Sequence, residues 1–278
     1  MNKTDGRVIR EGMSGLDITI AVAMHKPYAH TEDTMYLPVH VGADLHPEIL
    51  TNIVGDNTGD NISQLNPYFS ELTAMYWLWK NNDSDYKGIV HYRRYFASPS
   101  LRKRLSRNRF DRILSRQELE PLLATNNVIL PSKRRYFIET IYSHYEHTHY
   151  VEQLHQTRDV LKDMAPEYVA AWDTLLKKRS AHIFNMAIMD KADFNAYCEW
   201  LFPILFKITR RIDPATYSAF HARYPGRLSE LLLNVWINAN HIAYGTVPTI
   251  YTEPMNWWNK GTGFLKAKFF KKKYDASF

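Results

Sequence analysis

The sequence has few cysteines and few glycines. Its 278 residues include one cysteine, Cys198, and 11 glycines. A single cysteine excludes an internal disulfide and a cysteine-rich zinc site, and it fits a reducing compartment such as the cytoplasm. The glycines form no glycine-rich loop of the kind that cradles phosphate groups through backbone amides. Any phosphate ligand must therefore be held mainly by side chains.

Long hydrophobic runs are also missing. The longest candidate, residues 196–208, contains Glu199, Pro203 and Lys207, and it is shorter than the roughly 20 residues that a membrane-spanning helix needs. Residues 1–15 are polar and lack the apolar centre of a signal peptide. We expect them to form a flexible leader of a cytoplasmic protein that is soluble or peripheral to the membrane.

The composition supports a folded, basic protein. Hydrophobic residues make up 45% of the chain, aromatic residues 14%, and the net charge is +6. Such a chain can form a core. Much of the positive charge lies in residues 102–116 and 260–273. Local clusters of this kind favour an anionic small ligand or a membrane surface over nucleic acid, which usually meets a more uniformly basic face.

Apolar segments of strand length alternate with segments of helical periodicity. Strands are predicted at 17–22, 36–41, the segment that ends at His91, 128–131, 183–189 and 247–252. Helices are predicted from Asn66, from Ser115 to about Thr125, in two pieces over 138–178, over 191–212, and over 227–240. This alternation predicts an α/β fold with a mostly parallel sheet flanked by helices and a helical annex.

The most informative segment, residues 88–96, reads GIVHYRRYF. It predicts a buried strand whose end delivers His91, Tyr92, Arg93 and Arg94 to the carboxyl edge of the sheet, where ligands bind in such folds. Guanidinium groups suit phosphate because each can bind two oxygens. The alternative is a salt-bridged pair that pins a loop. Since adjacent side chains diverge on a strand, only one of the two arginines need face a ligand.

Several segments, in the same order, resemble a bacterial family of capsular and exopolysaccharide glycosyltransferases that was long catalogued as a domain of unknown function. They are MHKPY (24–28), GDNIS (59–63), NPY (66–68), ELT (71–73), YWLWKN (76–81), HYRRYF (91–96), FNM (184–186), YCEWLF (197–202) and RLSELL (227–232). The resemblance covers residues 17–255.

This resemblance implies a GT-A-like fold and transfer of a sugar from a nucleotide diphosphate donor, expected to be UDP-linked. The acceptor would be a growing capsular, exopolysaccharide or O-antigen glycan. The donor sugar would be galactofuranose or another hexose, and inverting galactofuranose transfer is one activity associated with the family. Residues 16–256 would be the catalytic domain, with a donor half (16–135) and an acceptor half (136–256). The alternative function is a noncatalytic protein that binds nucleic acid or an anionic glycan.

Candidate donor contacts follow the predicted strands and open the first predicted helix. His25 and Lys26 could contact uridine or phosphate, or form a solvated turn. Asp60 and Asn61 could bind ribose or uracil, or form an Asx turn. Glu71 could bind a sugar hydroxyl or hold Arg93. The expected donor residues are His25, Lys26, Asp60, Asn61, Glu71, His91 and Tyr92.

Many GT-A enzymes bind a divalent metal through an Asp-x-Asp motif that follows a central strand. Here Asp83-Ser84-Asp85 precedes the strand, and we interpret it as a polar turn. Arg93 and Arg94 stand where the metal site would be, and fixed cations can neutralise a leaving diphosphate. We therefore predict a metal-independent enzyme with no cofactor besides its nucleotide-sugar substrate.

Inverting transfer needs a general base beside the acceptor hydroxyl. Glu230 is the candidate, at a predicted helix start after Pro225-Gly226. The alternative is an acid that only stabilises the first helical turn. Asp190 and Asp213 are poorer candidates.

On the acceptor side we expect His144, His147, Asn185 and Arg227. For His144 and His147, spaced three residues apart, a metal site and an ordinary helix surface remain alternatives. Residues 257–278 form a basic, aromatic tail whose cations at 260–273 could lie on an anionic membrane, or which could simply keep the protein in solution.

Overall fold

The computed structural model describes residues 15–253. The predicted leader, up to residue 14, and the predicted tail lie outside the described residues.

Within this part of the chain there are eleven strands. They are β1 (Ile18–Met24), β2 (Tyr36–His40), β3 (Val54–Gly55), β4 (Tyr86–His91), β5 (Arg94–Phe96), β6 (Val128–Pro131), β7 (Arg134–Arg135), β8 (Ser180–Ala181), β9 (Ala187–Asp190), β10 (Tyr244–Val247) and β11 (Thr249–Tyr251).

The same part of the chain forms nine α-helices. They are α1 (Asn66–Phe69), α2 (Leu72–Asn81), α3 (Leu101–Arg104), α4 (Arg116–Leu123), α5 (Ile141–Thr148), α6 (Glu152–Met164), α7 (Val169–Leu176), α8 (Lys191–Arg211) and α9 (Tyr224–Ala239).

One large sheet organises the molecule, with the strand order β10-β6-β9-β4-β1-β2-β3. Strand β1 pairs in parallel with β2 and β4, and β6 pairs in parallel with β10. Strand β9 alone runs antiparallel to its neighbours β4 and β6 along this path. The predicted mostly parallel sheet flanked by helices is confirmed. Because β9 lies between β4 and β6, the two predicted halves of the domain share one sheet.

Hydrophobic clusters cover both faces of the sheet. The larger contains buried residues of α2 and of α5 to α9, and the smaller contains those of α4. At the centre, Gly88 on β4 approaches β9 so closely that a Cβ atom there would lie 2.9 Å from the Ala187 carbonyl oxygen. A glycine is needed at this position because any side chain would push the two central strands apart.

Local signals placed several elements correctly. Ser115 and Glu118 form the capping box at the start of α4, as the sequence predicted. Helix α8 spans nearly the expected residues and contains Pro203. Its first turn is capped by Asp190, whose carboxylate accepts from the Asp193 amide at 2.8 Å.

Other boundaries differ from the prediction at positions of unusual backbone geometry. Of the strand expected at 183–189, only the part from Ala187 onward forms. Phe184 and Asn185 have φ angles of 81° and 52°, which are incompatible with an extended strand. The helix expected from Asn66 divides at Ser70, whose φ is 52°, and this division places Glu71 just before α2.

Proline accounts for two further differences. Helix α9 begins at Tyr224, three residues before the predicted start, with Pro225 in its first turn, where a proline costs no hydrogen bond. The strand expected at 247–252 is divided between β10 and β11, with Pro248 between them.

The helical region 138–178 contains α5, α6 and α7, with Pro166 in a short 3₁₀ turn before α7. None of the described helices is long and apolar enough to cross a membrane.

Candidate active site

A cleft of about 530 Å³ opens at the carboxyl edge of the sheet, where β1 and β4 end. Its size is within the usual range for sites that bind small molecules. Three arginines and four histidines line it, and Glu71 is the single acid among the described lining residues. The basic residues are Arg93, Arg94, Arg223, His25, His40, His46 and His91. This lining favours an anionic ligand.

Arg94 is held by two aromatic rings. Its guanidinium carbon lies 3.7 Å from the centre of the Phe184 ring and 4.8 Å from that of Tyr251. The Nε atom is buried and has no hydrogen-bond partner among residues 15–253. Stacking fixes the plane of a guanidinium while leaving its in-plane donors available. Arg94 therefore fits the ligand-binding alternative.

Arg93 has a different environment. Its Nη1 atom forms an ion pair with Glu253 Oε2 at 3.2 Å, and its side chain is 50% exposed. It also lies 5.2 Å from the centre of the Tyr92 ring. The two adjacent arginines diverge as expected, and Arg93 has the salt bridge that the structural alternative predicted. Both nevertheless line the cleft.

His25 and Lys26 also lie near the buried Tyr92 ring. The His25 ring packs edge-on against Tyr92 at 5.2 Å, and Lys26 Nζ lies 5.6 Å from the centre of the same ring. Burial lowers the pKa of His25, and the charges of Arg223 and Arg93 lower it further. The two arginines act in the same direction as the excess of cations in the cleft lining. His25 lines the cleft, whereas Lys26 is not among its lining residues.

Glu71 is held by a hydrogen-bond network that joins three elements. Asn185 Nδ2 donates to Glu71 Oε1 at 2.7 Å and to the Gly226 carbonyl at 2.9 Å. His91 Nε2 donates to the Phe184 carbonyl at 2.7 Å and lies 4.0 Å from Glu71 Oε1. Burial lowers the pKa of His91, while the charge of Glu71 opposes this shift.

The two positive φ angles before β9 make this network possible. A bulky residue such as Phe184 rarely adopts the left-handed region, and each such residue costs on the order of 1–3 kcal/mol. Here the turn places the Phe184 ring beneath Arg94, its carbonyl beside His91, and the amide of Asn185 between Glu71 and Gly226. Strained backbone of this kind clusters at functional sites.

Glu230 lies in the second turn of α9, because that helix begins at Tyr224 rather than at the predicted start. The prediction that Glu230 lies at the start of the helix was wrong. The alternative role, in which Glu230 only stabilises the first helical turn, is therefore wrong as well. Burial and, to a smaller extent, the charge of Glu71 raise the pKa of Glu230 to about 7, although Arg94, the Phe184 amide and Arg227 oppose the shift. A carboxylate whose pKa lies near neutral pH is suited to general base catalysis.

Arg227 lies close to both acids. Its Nη2 atom donates to the Phe220 carbonyl at 2.7 Å, and its guanidinium lies 4.3 Å from the centre of the Phe220 ring. Nη1 is buried without a hydrogen-bond partner among the described residues. Burial lowers the pKa of Arg227, whereas the charges of Tyr145, Glu230 and Glu71 raise it. It therefore helps to balance the negative charge of the two glutamates.

His144 and His147 share one buried carboxylate. Their Nδ1 atoms lie 2.9 Å and 3.0 Å from the two oxygens of Glu139. Burial opposes ionisation of Glu139, but hydrogen bonds from both histidines give a net lowering of its pKa. The residues described here include no group of three His, Cys, Asp or Glu side chains that could hold a metal.

The same corner of the molecule faces Glu230. The His144 ring lies 4.5 Å from the ring of Tyr136. Burial raises the pKa of Tyr136 to about 12, and the charge of Glu230 contributes to this shift. Helix α5 is therefore on the Glu230 side of the site.

Asp60 and Asn61 do not line the cleft. Asp60 exchanges hydrogen bonds with the Asn81 side chain at the end of α2, about 15 Å along the helix from Glu71 at 1.5 Å per residue. The Asn61 side chain accepts from the Ser63 amide at 3.1 Å, which is the predicted Asx-turn alternative. These two residues stand apart because their loop packs against the far end of α2.

The acids of the Asp83-Ser84-Asp85 segment lie at the amino end of β4, opposite the cleft. Asp83 pairs with Lys191 at 2.5 Å, and Asp85 accepts from the Asp17 amide at 2.9 Å. The interpretation of this segment as a polar turn is confirmed.

The sequence analysis did not identify Arg223 as a residue of the cleft, and it did not identify the role of Phe184 in holding Arg94 and His91. Arg223 lies just before α9, and the helix-start signal Pro225-Gly226 could have directed attention to it. No local signal indicates the left-handed conformation of Phe184, because it depends on contacts with β4 and α9.

Comparisons with known proteins agree with this description. Residues 19–241 match the family model described as "Domain of unknown function (DUF4422)". The apo structure of WbbM, a bifunctional glycosyltransferase, superposes with a TM-score of 0.78 at 28% sequence identity, over 86% of this chain and 46% of that one. The chain thus spans about half the length of that structure. No curated protein matches. The mixed, mostly parallel sheet and its similarity to this glycosyltransferase structure identify the fold as a GT-A-like α/β fold.

Proposed function

The chain belongs to the DUF4422 family, and from that premise we propose that it is a glycosyltransferase that moves a sugar from a nucleoside diphosphate to a glycan hydroxyl. The lining of the cleft carries this proposal. Arg94, Arg93, Arg223 and one acid, Glu71, line the cleft at the carboxyl edge of the sheet. Glu230 is not a lining residue, but it interacts with Glu71 and Arg94 and has a pKa near 7. Similarity to WbbM, a bifunctional glycosyltransferase, supports it.

The arginines would stabilise the leaving diphosphate. Negative charge grows on the leaving group during sugar transfer, and preorganised cations in a partly desolvated site stabilise that charge. Arg94 is the main candidate because its guanidinium is fixed by stacking and its buried Nε atom has no hydrogen-bond partner within residues 15–253. Arg93 and Arg223, with His25 and His91, would complete the donor site around Tyr92. Lys26 would act from its position near the Tyr92 ring.

Glu230 would deprotonate the acceptor hydroxyl. With this base, transfer would proceed by direct displacement at the anomeric carbon, with inversion, in which the new glycosidic bond forms as the bond to the diphosphate breaks. Arg227, His144 and His147 would then lie on the acceptor side. A surface that only binds nucleic acid or an anionic glycan gains nothing from a buried carboxylate among its cations, and so the cleft favours the enzyme over this alternative.

The finer features of the proposal rest on the family resemblance. The donor would be UDP-linked, the sugar a hexose such as galactofuranose, and the acceptor a capsular, exopolysaccharide or O-antigen chain. Transfer would require no metal ion, because the arginines supply the positive charge.

A panel of nucleotide sugars tests the proposal. The purified protein is incubated with each donor and a set of glycan acceptors, and release of the nucleoside diphosphate and formation of the product are followed. We expect one donor class to be turned over and the matching nucleoside diphosphate to raise the melting temperature. If no donor binds or reacts, and RNA binds with a steep salt dependence instead, the enzyme assignment is wrong.

A further inference from the structure

A short two-stranded ladder outside the main sheet carries two exposed apolar side chains. Strands β7 and β8 pair antiparallel, and the chain leaves β7 into Phe137 and Ile138, which are 80% and 69% exposed. Phe137 has a φ angle of 43°, a strained value for a bulky residue. The backbone thus holds an aromatic side chain outward at an energetic cost.

Six exposed cations lie in the strands of this ladder or directly beside them in the chain. They are Lys133, Arg134, Arg135, Lys177, Lys178 and Arg179. The backbone joins the two groups, since the Tyr136 amide donates to the Arg179 carbonyl at 2.8 Å and the Ile141 amide to the Lys178 carbonyl at 2.8 Å. Within residues 15–253, none of the eleven ion pairs within 4.0 Å involves any of these six side chains.

Acids are scarce at this surface. Over residues 132–139 and 177–181 the sequence has one acid, Glu139. That carboxylate is buried and hydrogen-bonded to two histidines. We call residues 132–139 and 177–181 the ladder surface. This surface combines two exposed apolar side chains with a net positive charge that no exposed acid in these segments offsets.

The ladder surface lies at the same edge of the sheet as the cleft. Strand β6 is antiparallel to β9, and β9 is antiparallel to β4, so β6 and β4 end at the same edge. Strand β7 follows β6 directly, and Tyr136 is close enough to Glu230 for that charge to raise its pKa. The ladder surface thus flanks the side of the site where Glu230 lies.

We propose that Phe137, Ile138 and the six cations of the ladder surface dock this protein on an anionic lipid bilayer. Cations near a membrane are attracted by the negative potential of acidic headgroups, and apolar side chains beside them can enter the interface. Nucleic acid would satisfy the cations but would leave an aliphatic side chain such as Ile138 in water. The proposal does not depend on the proposed activity, since bilayer binding is measured without a donor or an acceptor.

Vesicle co-sedimentation with the full chain tests this surface. Vesicles of phosphatidylcholine are compared with vesicles that also contain phosphatidylglycerol. We expect the wild type to bind only the anionic vesicles, and more weakly as salt rises. Combining Phe137→Ser with Ile138→Ser should weaken binding by about tenfold or more. Combining Lys177→Gln, Lys178→Gln and Arg179→Gln should weaken it by on the order of a hundredfold.

Helix α3 provides a matched control. Leu101 and Leu105 are 74% and 83% exposed and flank Arg102, Lys103 and Arg104. Two of these cations, Arg102 and Lys103, line a different cleft, together with Asp33 and Phe110. The double variant with Leu101→Ser and Leu105→Ser should bind vesicles like the wild type.

The outcomes separate cleanly. All substituted side chains are exposed, and melting temperatures close to that of the wild type would establish that the variants are folded. Unchanged binding in both ladder variants would place the membrane contact elsewhere and overturn the proposal. Equal binding to neutral vesicles, or no vesicle binding by the wild type, would overturn it as well.

Discussion

The Asn185 side chain holds Glu71 at a fixed position, with its Nδ2 atom 2.7 Å from Glu71 Oε1. The second hydrogen of the same amide goes to the Gly226 carbonyl in α9. One side chain therefore connects the start of α2, the turn before β9 and the helix that carries Glu230. Because Asn185 is only 1% exposed, it cannot offer the acceptor a surface. We therefore propose that it acts as a positioning residue rather than as an acceptor contact.

Replacing Asn185 tests this positioning role. In Asn185→Ala, Glu71 and the Gly226 carbonyl lose a buried donor, which should cost about 1–3 kcal/mol of stability and lower kcat more than it changes KM for the donor. Steady-state kinetics and denaturant unfolding measure the two effects. Asn185→Gly is the matched control, because glycine accepts the positive φ angle but also lacks the amide. If the glycine variant regains wild-type kcat, backbone strain explains the loss and the hydrogen bonds do not.

Glu230 should control the pH dependence of transfer. Since the base must be ionised and its pKa is raised to about 7, kcat should rise with pH through that value and then level off. Glu230→Gln should lower kcat by roughly 10²–10⁴-fold while nucleoside diphosphate binding stays near the wild-type value. Glu199→Gln, at an exposed site on α8, should leave both quantities unchanged. A Glu230→Gln variant with full activity would show that another group is the base.

The same shift predicts the sign of an effect on stability. The pKa of Glu230 is raised from its ordinary value of 4.5 to about 7, so the folded state binds the proton more tightly than the unfolded state does. The resulting stability is present below the unfolded pKa and is lost as pH rises through the folded pKa. Glu230→Gln should therefore gain melting temperature relative to the wild type on going from about pH 5 to about pH 8. Parallel curves for the two proteins would contradict the raised pKa.

The two adjacent arginines should contribute unequally to donor binding. Arg94→Ala removes a stacked guanidinium whose buried Nε atom has no hydrogen-bond partner among the described residues, and should weaken binding of the nucleoside diphosphate by roughly tenfold to a hundredfold. Arg93→Ala should cost less, because Arg93 is half exposed and already paired with Glu253. Calorimetric titration measures both. Arg94→Lys should fail to restore affinity, since an ammonium lacks the planar face that stacks on a ring and the fixed pair of parallel donors that binds two phosphate oxygens. Equal losses at the two positions would argue against the assignment.

Chelation should leave the reaction unaffected. If the arginines supply the positive charge for the leaving group, transfer should proceed at an undiminished rate after dialysis against excess chelator. The rate is measured again after addition of magnesium or manganese. Activity that disappears on chelation and returns with a divalent ion would show that the diphosphate is stabilised by a metal instead.

Sequence patterns predicted the elements that local interactions specify. The strand that ends at His91 and the strand at Val128–Pro131 are apolar runs of the right length, and the start of α4 is a capping box. The alternation of strands and helices then indicated the sheet class. Arginines at the end of a central strand indicated the edge that forms the cleft. Each of these inferences uses residues within a few positions of one another.

The sequence alone determined which side chains lie at the ends of β1 and β4 and can contribute to a site. An apolar run that is followed by polar residues marks the point where a buried strand reaches the edge of the sheet. Only the tertiary structure decided which of them meet. It separated Asp60 from the cleft, since its loop is bound to the far end of α2, and it moved Phe184 and Asn185 out of the predicted strand into a left-handed turn. It also set the pKa of Glu230, because burial and the charge of Glu71 come from segments far away in the chain. Secondary-structure propensity depends on residues that are close in the sequence, whereas desolvation and electrostatic interactions depend on residues that are close in space.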